Sequence, residues 1–173
     1  MAVIKHADQR VAVFIDTQNV YHSARNLYKS YVNFAAILKD ALAGRRLVRA
    51  MAYVIASEAG DENAFFDALT KIGIETKVKD LQVFSDGAKK GDWDVGLTVD
   101  AITIAPRIDA AVIISGDGDY VPLVEYLQKH SGIQVEVISF GKSTSMKLKE
   151  AADDFFDLSI NPNKYLIRGS GRR

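Results

Sequence analysis

Aspartates follow two apolar runs of this sequence. Asp16 comes directly after residues 11–15 (VAVFI), and Asp117 and Asp119 follow Ala110–Ile114. Two carboxylates as close as Asp117 and Asp119 repel each other unless a cation or a shared proton relieves them. Hard divalent ions such as Mg²⁺ take oxygen ligands, commonly one or two carboxylates together with waters and phosphate groups. These residues predict a divalent metal site if the fold brings the two runs together.

A third acidic group lies in residues 90–100. Asp94 and Asp100 are six residues apart, about 240° around an α-helix, so they do not share a face. Asp94, near the start of the predicted helix, is the better candidate for the metal site. Asp100 lies among apolar residues and is interpreted as a buried anchor that hydrogen-bonds the scaffold. The combined groups favour metal-assisted phosphodiester hydrolysis, in which one or two ions activate a water and stabilise charge on the phosphate.

Each acid also has a plain structural interpretation. Asp16 and Asp119 each directly precede a predicted helix, where an aspartate commonly caps the first turn. Asp92 is suited to the same role, since acids are favoured in a first helical turn. Taken singly, capping explains these residues about as well as metal binding does.

The elements that must position these acids alternate along the chain. The runs 11–15 and Ala110–Ile114 are typical of strands buried on both faces of a parallel sheet. Further strands are predicted at residues 47–56, 74–83 and 134–140, and helices at residues 34–43, 61–72, 92–104, 120–130 and 143–152. This order predicts a three-layer α/β/α sandwich around a mostly parallel sheet of about five to six strands. The active crevice of such a sheet lies outside the carboxyl ends of its strands, where the acids would converge.

Composition excludes several classes of protein. The chain has 173 residues, a net charge of zero and no cysteine, which excludes a disulfide scaffold, a thiolate zinc site and a cysteine nucleophile. The neutral charge argues against a strongly basic coat protein for nucleic acid, although it permits a nucleic-acid enzyme. No apolar run approaches the roughly 20 residues of a membrane helix, and no signal peptide is recognised. We therefore expect a cytoplasmic protein without a membrane partner.

The chain is predicted to form one domain over residues 1–160, since domains commonly have about 100–150 residues. Residues 161–173 are polar and basic and are predicted to form a flexible tail. A homodimer is compatible with the neutral charge, but no apolar stripe in the sequence identifies an interface.

Four segments together resemble a known family. They are residues 14–19 (FIDTQN), 90–100 (KGDWDVGLTVD), 114–127 (ISGDGDYVPLVEYL) and 150–158 (EAADDFFDL). In this order the segments resemble the NYN domains of the LabA-like branch, within the PIN-like nuclease superfamily. The combination is specific, whereas each short motif alone is not.

The resemblance implies a PIN-like fold and a ribonuclease that depends on Mg²⁺ or Mn²⁺. It assigns the catalytic and metal-binding roles to Asp16, Asp94, Asp117 and Asp119. Supporting roles fall to Asn19, Asp100 and Ser115. Gln18 departs from the small residue of many relatives, and its larger side chain would alter substrate access.

The expected partner is single-stranded or looped RNA. Lys90 and Lys142 are the predicted contacts to phosphate, because basic residues around an acidic pocket guide a polyanion. For Lys142 a solvated helix face is the simpler interpretation. The predicted stacking partner for a base is Trp93, with Tyr21 and Tyr120 as further aromatic residues beside the acids. Packing of Trp93 on the core is an equally good interpretation.

Two other functions are compatible with parts of the sequence. A non-catalytic RNA-binding or regulatory protein would keep the same fold and acids without turnover. Phosphoryl transfer by an aspartate is disfavoured, because the phosphatase motif Asp-x-Asp would need an acid where Gln18 stands. His22 is assigned a surface or packing role in preference to a place in the crevice.

Overall fold

The computed structural model describes residues 3–56 and 62–168. The strands in these ranges are β1 (Arg10–Asp16), β2 (Tyr31–Val32), β3 (Arg46–Ala56), β4 (Glu75–Asp80), β5 (Gln82–Val83), β6 (Lys89–Lys90), β7 (Ala110–Ile114), β8 (Gln134–Ser139), β9 (Asp154–Asp157) and β10 (Leu166–Ile167). The α-helices are α1 (Thr17–Tyr28), α2 (Phe34–Leu42), α3 (Asn63–Lys71), α4 (Asp94–Ile104), α5 (Val121–Lys129), α6 (Met146–Ala151) and α7 (Pro162–Tyr165). No helix in the described ranges is long and apolar enough to cross a lipid bilayer.

The main sheet has six strands in the order β4-β3-β1-β7-β8-β9. Every neighbouring pair in it is parallel. Helices cover both faces, so the predicted three-layer α/β/α sandwich is confirmed, with six strands.

Two hydrophobic cores lie on opposite faces of the sheet. On β1, Val11, Val13 and Ile15 face one core, which includes side chains of α1, α2 and α3. Ala12 and Phe14 face the other core, which includes side chains of α4, α5 and α6. All five side chains are at most 1% exposed, which explains why the run is continuously apolar and does not alternate with polar residues.

The order of the strands places a crevice at one point of the sheet edge. From β1 the chain builds outward through β3 to β4, and then α4 carries it back to β7 on the other side of β1. The connections that leave the carboxyl ends of β1 and β7 therefore run to opposite faces. In open α/β sheets such a switch point is where ligands bind.

Several elements differ from the sequence-based expectation. The predicted strand at 74–83 is split, because β5 pairs with β6 in a separate two-stranded sheet. Helix α4 begins at Asp94, so Asp92 lies outside it and Trp93 precedes the first turn without a side-chain cap. Strand β9 was not predicted, since its DFFD sequence has no alternation of polar and apolar residues. The predicted helix start at residue 61 lies outside the described residues, and α3 begins at Asn63.

The predicted tail differs from the structure over its first residues. Helix α7 and strand β10 occupy positions 162–167, and β10 pairs antiparallel with β2. Tyr165 is 3% exposed, and its hydroxyl lies 2.5 Å from the Asp40 carboxylate. Burial of this ring supplies the apolar contact that a polar tail would lack. Residues 169–173, the remainder of the predicted tail, lie outside the described residues.

A buried ion pair joins the residue before β3 to strand β8. The Arg45 guanidinium donates two hydrogen bonds to the Glu136 carboxylate, at 2.6 and 3.0 Å. Both side chains are almost completely buried. Arg45 also donates to the carbonyl of Ala41, and Glu136 accepts from the amide of Gln134. The Lys5 ammonium also pairs with Glu136, at 3.0 Å. Removal of Glu136 would leave the buried Arg45 charge without a carboxylate, and removal of Arg45 would leave Glu136 with Lys5 alone as a cationic partner among the described residues.

Candidate metal centre

Asp16 both ends β1 and caps α1. One carboxylate oxygen accepts the backbone N–H of Asn19 at 3.2 Å, which satisfies a free donor of the first helical turn. The other oxygen accepts the Ser115 hydroxyl at 3.0 Å and lies 3.4 Å from the Tyr120 hydroxyl. Because these contacts fix the side chain, the capping and metal-binding interpretations of Asp16 are compatible.

Asp94 and Asp117 reach the same point from two other elements. Asp94 is the first residue of α4 and accepts the Tyr120 hydroxyl at 3.0 Å. Asp117 follows β7 and caps a short 3-10 helix by accepting the backbone N–H of Asp119 at 2.9 Å. One carboxylate oxygen each from Asp16, Asp94 and Asp117 lies within 4.8 Å of the other two. The structure thus brings three of the predicted metal ligands together.

The loop after β7 is held tightly in place. The Asn19 side-chain oxygen accepts the backbone N–H of Gly116 at 2.8 Å, and the Ser115 hydroxyl accepts that of Asp117 at 3.1 Å. A Cβ on Gly116 would lie 2.9 Å from the carbonyl oxygen of Ser143, so only glycine fits this approach. Asn19 and Ser115 therefore lie where supporting residues of the site were predicted.

The electrostatics of the three carboxylates call for a cation. Burial raises the pKa of Asp16, and the charges of Asp94 and Asp117 raise it further, against the lowering effect of its hydrogen bonds. Burial also raises the pKa of Asp94, with a contribution from Asp117. Within the described residues none of the three carboxylates forms an ion pair with lysine or arginine. An all-oxygen cluster of like charges suits Mg²⁺ or Mn²⁺.

The cluster opens into a cavity of about 200 Å³. Its lining residues are Asp16, Gln18, Asn19, His22, Tyr53, Ile55, Asp92, Trp93, Asp94 and Asp117. Gln18 lies at this cavity, as expected from its position after Asp16. His22 also lines it, although a surface or packing role was favoured from the sequence. One turn of α1 brings its imidazole to the same wall as Asn19.

Asp119 and Asp100 do not join the three converging carboxylates. Asp119 is exposed, and its backbone N–H donates to the carboxylate of Asp117, which is the capping residue. Asp100 accepts hydrogen bonds from the Tyr53 hydroxyl at 2.8 Å and from the Lys77 ammonium at 2.6 Å. Because Tyr53 lines the cavity, Asp100 supports its wall through this hydrogen bond, as the anchor interpretation expects. The Asp100 side chain is only partly buried, however, at 26% exposure.

Trp93 lies in the cavity wall, whereas the two predicted lysines do not line it. The Trp93 indole N–H donates to the carbonyl of Val54 at 2.9 Å, and its ring packs edge-on against Tyr53. A Cβ on Gly96 would lie 2.5 Å from the indole, so glycine admits the ring over the first turn of α4. Lys90 and Lys142 are exposed. Their contact with phosphate stays a prediction.

Tyr120 has a role that the sequence analysis missed. Its ring is 1% exposed, so it cannot stack on a base. Its hydroxyl lies between two of the carboxylates, 3.0 Å from Asp94 and 3.4 Å from Asp16. Burial raises the pKa of this phenol, and the nearby carboxylates raise it further, so the hydroxyl keeps its proton as a donor. The available signal was its position directly after Asp119, at the start of a helix that packs on the sheet.

Replacing Tyr120 with Phe tests this positioning role. Phe keeps the buried ring but removes the hydrogen bonds that orient Asp94 and Asp16. We expect the affinity for Mn²⁺, measured by calorimetric titration, to fall about 10- to 100-fold, as is typical when a partner of a metal ligand is lost. Tyr53→Phe is the matched control, because it removes a buried hydroxyl that hydrogen-bonds Asp100 outside the cluster. Equal Mn²⁺ affinity of the Tyr120 variant and the unmodified protein would contradict the role.

Comparison with known proteins places this site in a family context. The family model described as the NYN domain matches residues 10–159. The chain is 25% identical to the low amplitude and bright protein LabA of Synechococcus elongatus, over 87% of this chain and 84% of that protein. The crystal structure of a protein of unknown function from Vibrio parahaemolyticus is also similar. It has 34% identity and a TM-score of 0.84, and the match covers 95% of this chain and all of that one.

Proposed function

We propose that this chain, which belongs to the NYN domain family and to its LabA-like branch, is a metal-dependent endoribonuclease. The family is nuclease-like. The observation that carries the proposal is the convergence of Asp16, Asp94 and Asp117 at the switch point of the sheet. Three partly buried carboxylates that pair with no lysine or arginine of the described residues are suited to a metal ion, and less suited to a purely structural role.

Asp16, Asp94 and Asp117 would hold Mg²⁺ or Mn²⁺. A bound ion would lower the pKa of a water to give a nucleophile and would stabilise charge on the scissile phosphate. The residues of the chain supply the geometry. Ser115 and the Asn19 backbone orient the Asp16 carboxylate, and Tyr120 fixes Asp94 relative to it.

The size of the cavity limits what part of the substrate enters it. A volume of about 200 Å³ is below the roughly 300–1,000 Å³ of pockets that enclose a drug-sized ligand. It admits a phosphodiester with its ions and leaves no room for several nucleosides. The bases on either side must therefore lie on the protein surface, which favours an unpaired strand over a rigid duplex. Lys90 and Lys142 are proposed to contact the phosphates of that strand.

A cleavage assay tests this function. A pool of labelled single-stranded and structured RNA is incubated in EDTA, Mg²⁺ or Mn²⁺ with the unmodified protein or with Asp117→Asn. We expect cleavage only with a divalent ion, and a loss greater than 100-fold in the variant, beyond the 10- to 100-fold typical of an orienting residue. An identically purified Asp117→Asn protein also controls for contaminating nucleases.

Asp119→Asn in the same assay distinguishes a metal site with three aspartate ligands from one with four. The structure leaves Asp119 exposed beside the cluster, so we expect a smaller loss than for Asp117→Asn. Equal losses of cleavage activity in the two variants would indicate that Asp119 is also a metal ligand. If neither the unmodified protein nor any variant cleaves RNA while RNA still binds in saturating Mn²⁺, the function is that of a non-catalytic RNA-binding regulator.

A further inference from the structure

A row of aromatic rings leads away from the metal cavity along α1. His22 lines the cavity, and its ring centroid lies 5.8 Å from that of Tyr21. Tyr21 in turn lies 6.5 Å from Tyr31, which follows the end of α1. Tyr21 is 40% exposed and Tyr31 is 47% exposed. Two adjacent phenol rings are thus open to solvent next to the proposed catalytic centre.

The surroundings of these rings are cationic. The Arg25 guanidinium lies 5.0 Å from the centre of the Tyr31 ring. No aspartate or glutamate occurs from residue 17 to residue 39, although acids and bases balance over the whole chain. This segment therefore lacks the negative charge that would repel a polyanion.

A second concave region lies on the other face of the β2–β10 pair. Pairing of β10 with β2 sets Ile167 opposite Tyr31, so these two side chains share one face and Arg168 lies on the opposite one. A cavity of about 430 Å³ is lined there by Tyr28, Ser30, Pro162, Asn163, Leu166 and Arg168. The row of rings therefore ends at Tyr31, and this cavity is separate from it.

We propose that Tyr21 and Tyr31, together with Arg25, form a stacking surface for two consecutive unpaired bases of an RNA strand whose backbone crosses the metal cavity. We name this surface the α1 platform. The inference rests on the proposed function for the identity of the strand and adds where its bases are held. Aromatic side chains together with basic residues are the general means of binding single strands without sequence readout, because every base has a π-face.

Equilibrium binding in EDTA tests the α1 platform without turnover. The probe is an end-labelled oligouridine of about ten nucleotides, within the length that one single-strand site covers, and the readout is fluorescence anisotropy. We expect Tyr21→Ala and Tyr31→Ala each to weaken binding roughly tenfold, and the double variant roughly a hundredfold. Tyr21→Phe and Tyr31→Phe keep the rings and should bind as the unmodified protein does.

Tyr126→Ala is the matched control. Tyr126 is also 40% exposed and stacks on a histidine, His130, with ring centroids 4.8 Å apart, but it lies on α5 and does not line either cavity. Its removal should leave the affinity unchanged. Thermal unfolding of all variants reports whether the fold is intact, and the half-exposed positions are expected to tolerate alanine.

Salt dependence separates stacking from charge. The slope of the logarithm of affinity against the logarithm of salt concentration is about 0.7 per phosphate contact for single strands. Lys142→Gln, at a proposed phosphate contact, should reduce this slope by about 0.7, whereas the tyrosine variants should lower the affinity at an unchanged slope.

The outcomes distinguish the α1 platform from the nuclease proposal. Unchanged affinity in the double tyrosine variant, or an equal loss in Tyr126→Ala, would overturn the α1 platform even if RNA is cleaved. If the tyrosine variants lose as much affinity for fully duplex RNA as for the single strand, the α1 platform is overturned as well. Tyrosine-dependent binding of the single strand, found in a protein that cleaves nothing, would support the α1 platform and refute the nuclease.

Discussion

Replacing Asp16 with Asn is expected to abolish metal-dependent cleavage and, in the same protein, to raise the melting temperature of the metal-free fold. Asparagine keeps an oxygen for the Asn19 N–H and is as good a helix cap as aspartate. Its amide N–H replaces the second carboxylate oxygen and can donate to the hydroxyl oxygens of Ser115 and Tyr120. It removes one of three like charges and the cost of burying a carboxylate. Active-site residues commonly trade stability for function in this way. Each kcal/mol gained raises the melting temperature of a chain of this size by about 2–4 °C.

The stability gained by Asp16→Asn is expected to depend on pH in a defined direction. Burial, with the nearby carboxylates, raises the pKa of Asp16 in the folded state, so between the ordinary and the raised pKa the folded protein binds more protons than the unfolded chain. The stability of the metal-free protein that depends on Asp16 is therefore present at low pH and decreases as pH rises through this window. The difference in melting temperature between Asp16→Asn and the unmodified protein should grow from about pH 4 toward neutrality, starting near the ordinary pKa of aspartate.

Comparing the two proteins removes the contributions of the other acids, several of which have lowered pKa values. A saturating divalent ion at neutral pH should stabilise the unmodified protein and leave the variant almost unchanged, since ligand binding to the folded state alone raises stability. A constant difference across pH, or a less stable Asp16→Asn protein, would show that the cluster is not under electrostatic strain.

Breaking the buried ion pair between Arg45 and Glu136 is expected to cause a larger loss of folding stability than breaking an ion pair at the surface. Arg45→Met leaves the Glu136 carboxylate, which is 1% exposed, without its bidentate partner. The Lys5 ammonium at 3.0 Å then offsets part of this loss. Removal of one member of a buried pair typically costs about 3–5 kcal/mol. For a chain of this size that corresponds to a decrease of roughly 10 °C in melting temperature, measurable by calorimetry.

The chain offers a control with the same chemistry at the surface. Arg49 donates two hydrogen bonds to Glu75, at 2.9 and 2.6 Å, but both side chains are close to half exposed. Arg49→Met should therefore cost less than about 1 kcal/mol. Similar losses for the two variants would mean that burial does not set the cost. An exchange of both buried partners for apolar residues should recover much of the loss, because no unpaired charge then remains.

The sequence was sufficient to predict the layers of the fold and the edge at which the acids meet. Continuous apolar runs such as Ala110–Ile114 indicate strands buried on both faces, and the carboxyl ends of parallel strands share one edge. Helical periodicity also separated Asp94 from Asp100, and the structure places them at the cluster and behind its wall, respectively. These inferences depend on local pattern alone.

Other parts of the site depend on contacts that local pattern does not encode. The ring of Tyr120 is buried beneath the acids because the short 3-10 helix Gly118–Tyr120 and the packing of α5 turn it inward. No periodicity in the sequence distinguishes this from an exposed ring. Asp117 and Asp119 are equivalent in the sequence, but capping of the short turn directs only one of them to the cluster. Positions 162–167, which were predicted to belong to a flexible tail, form α7 and β10 because β10 pairs with the distant strand β2.

The position of Trp93 makes the cavity optically distinct from the rest of the molecule. It is the only tryptophan of the chain, and its ring lies between Tyr53 and the Lys79 ammonium, which is 5.5 Å from the ring centre. Emission excited at the red edge of protein absorbance therefore originates from this wall alone. Ion binding, entry of a base, or loosening of the first turn of α4 each changes the surroundings of one fluorophore, so the unlabelled protein carries its own reporter of events at the site.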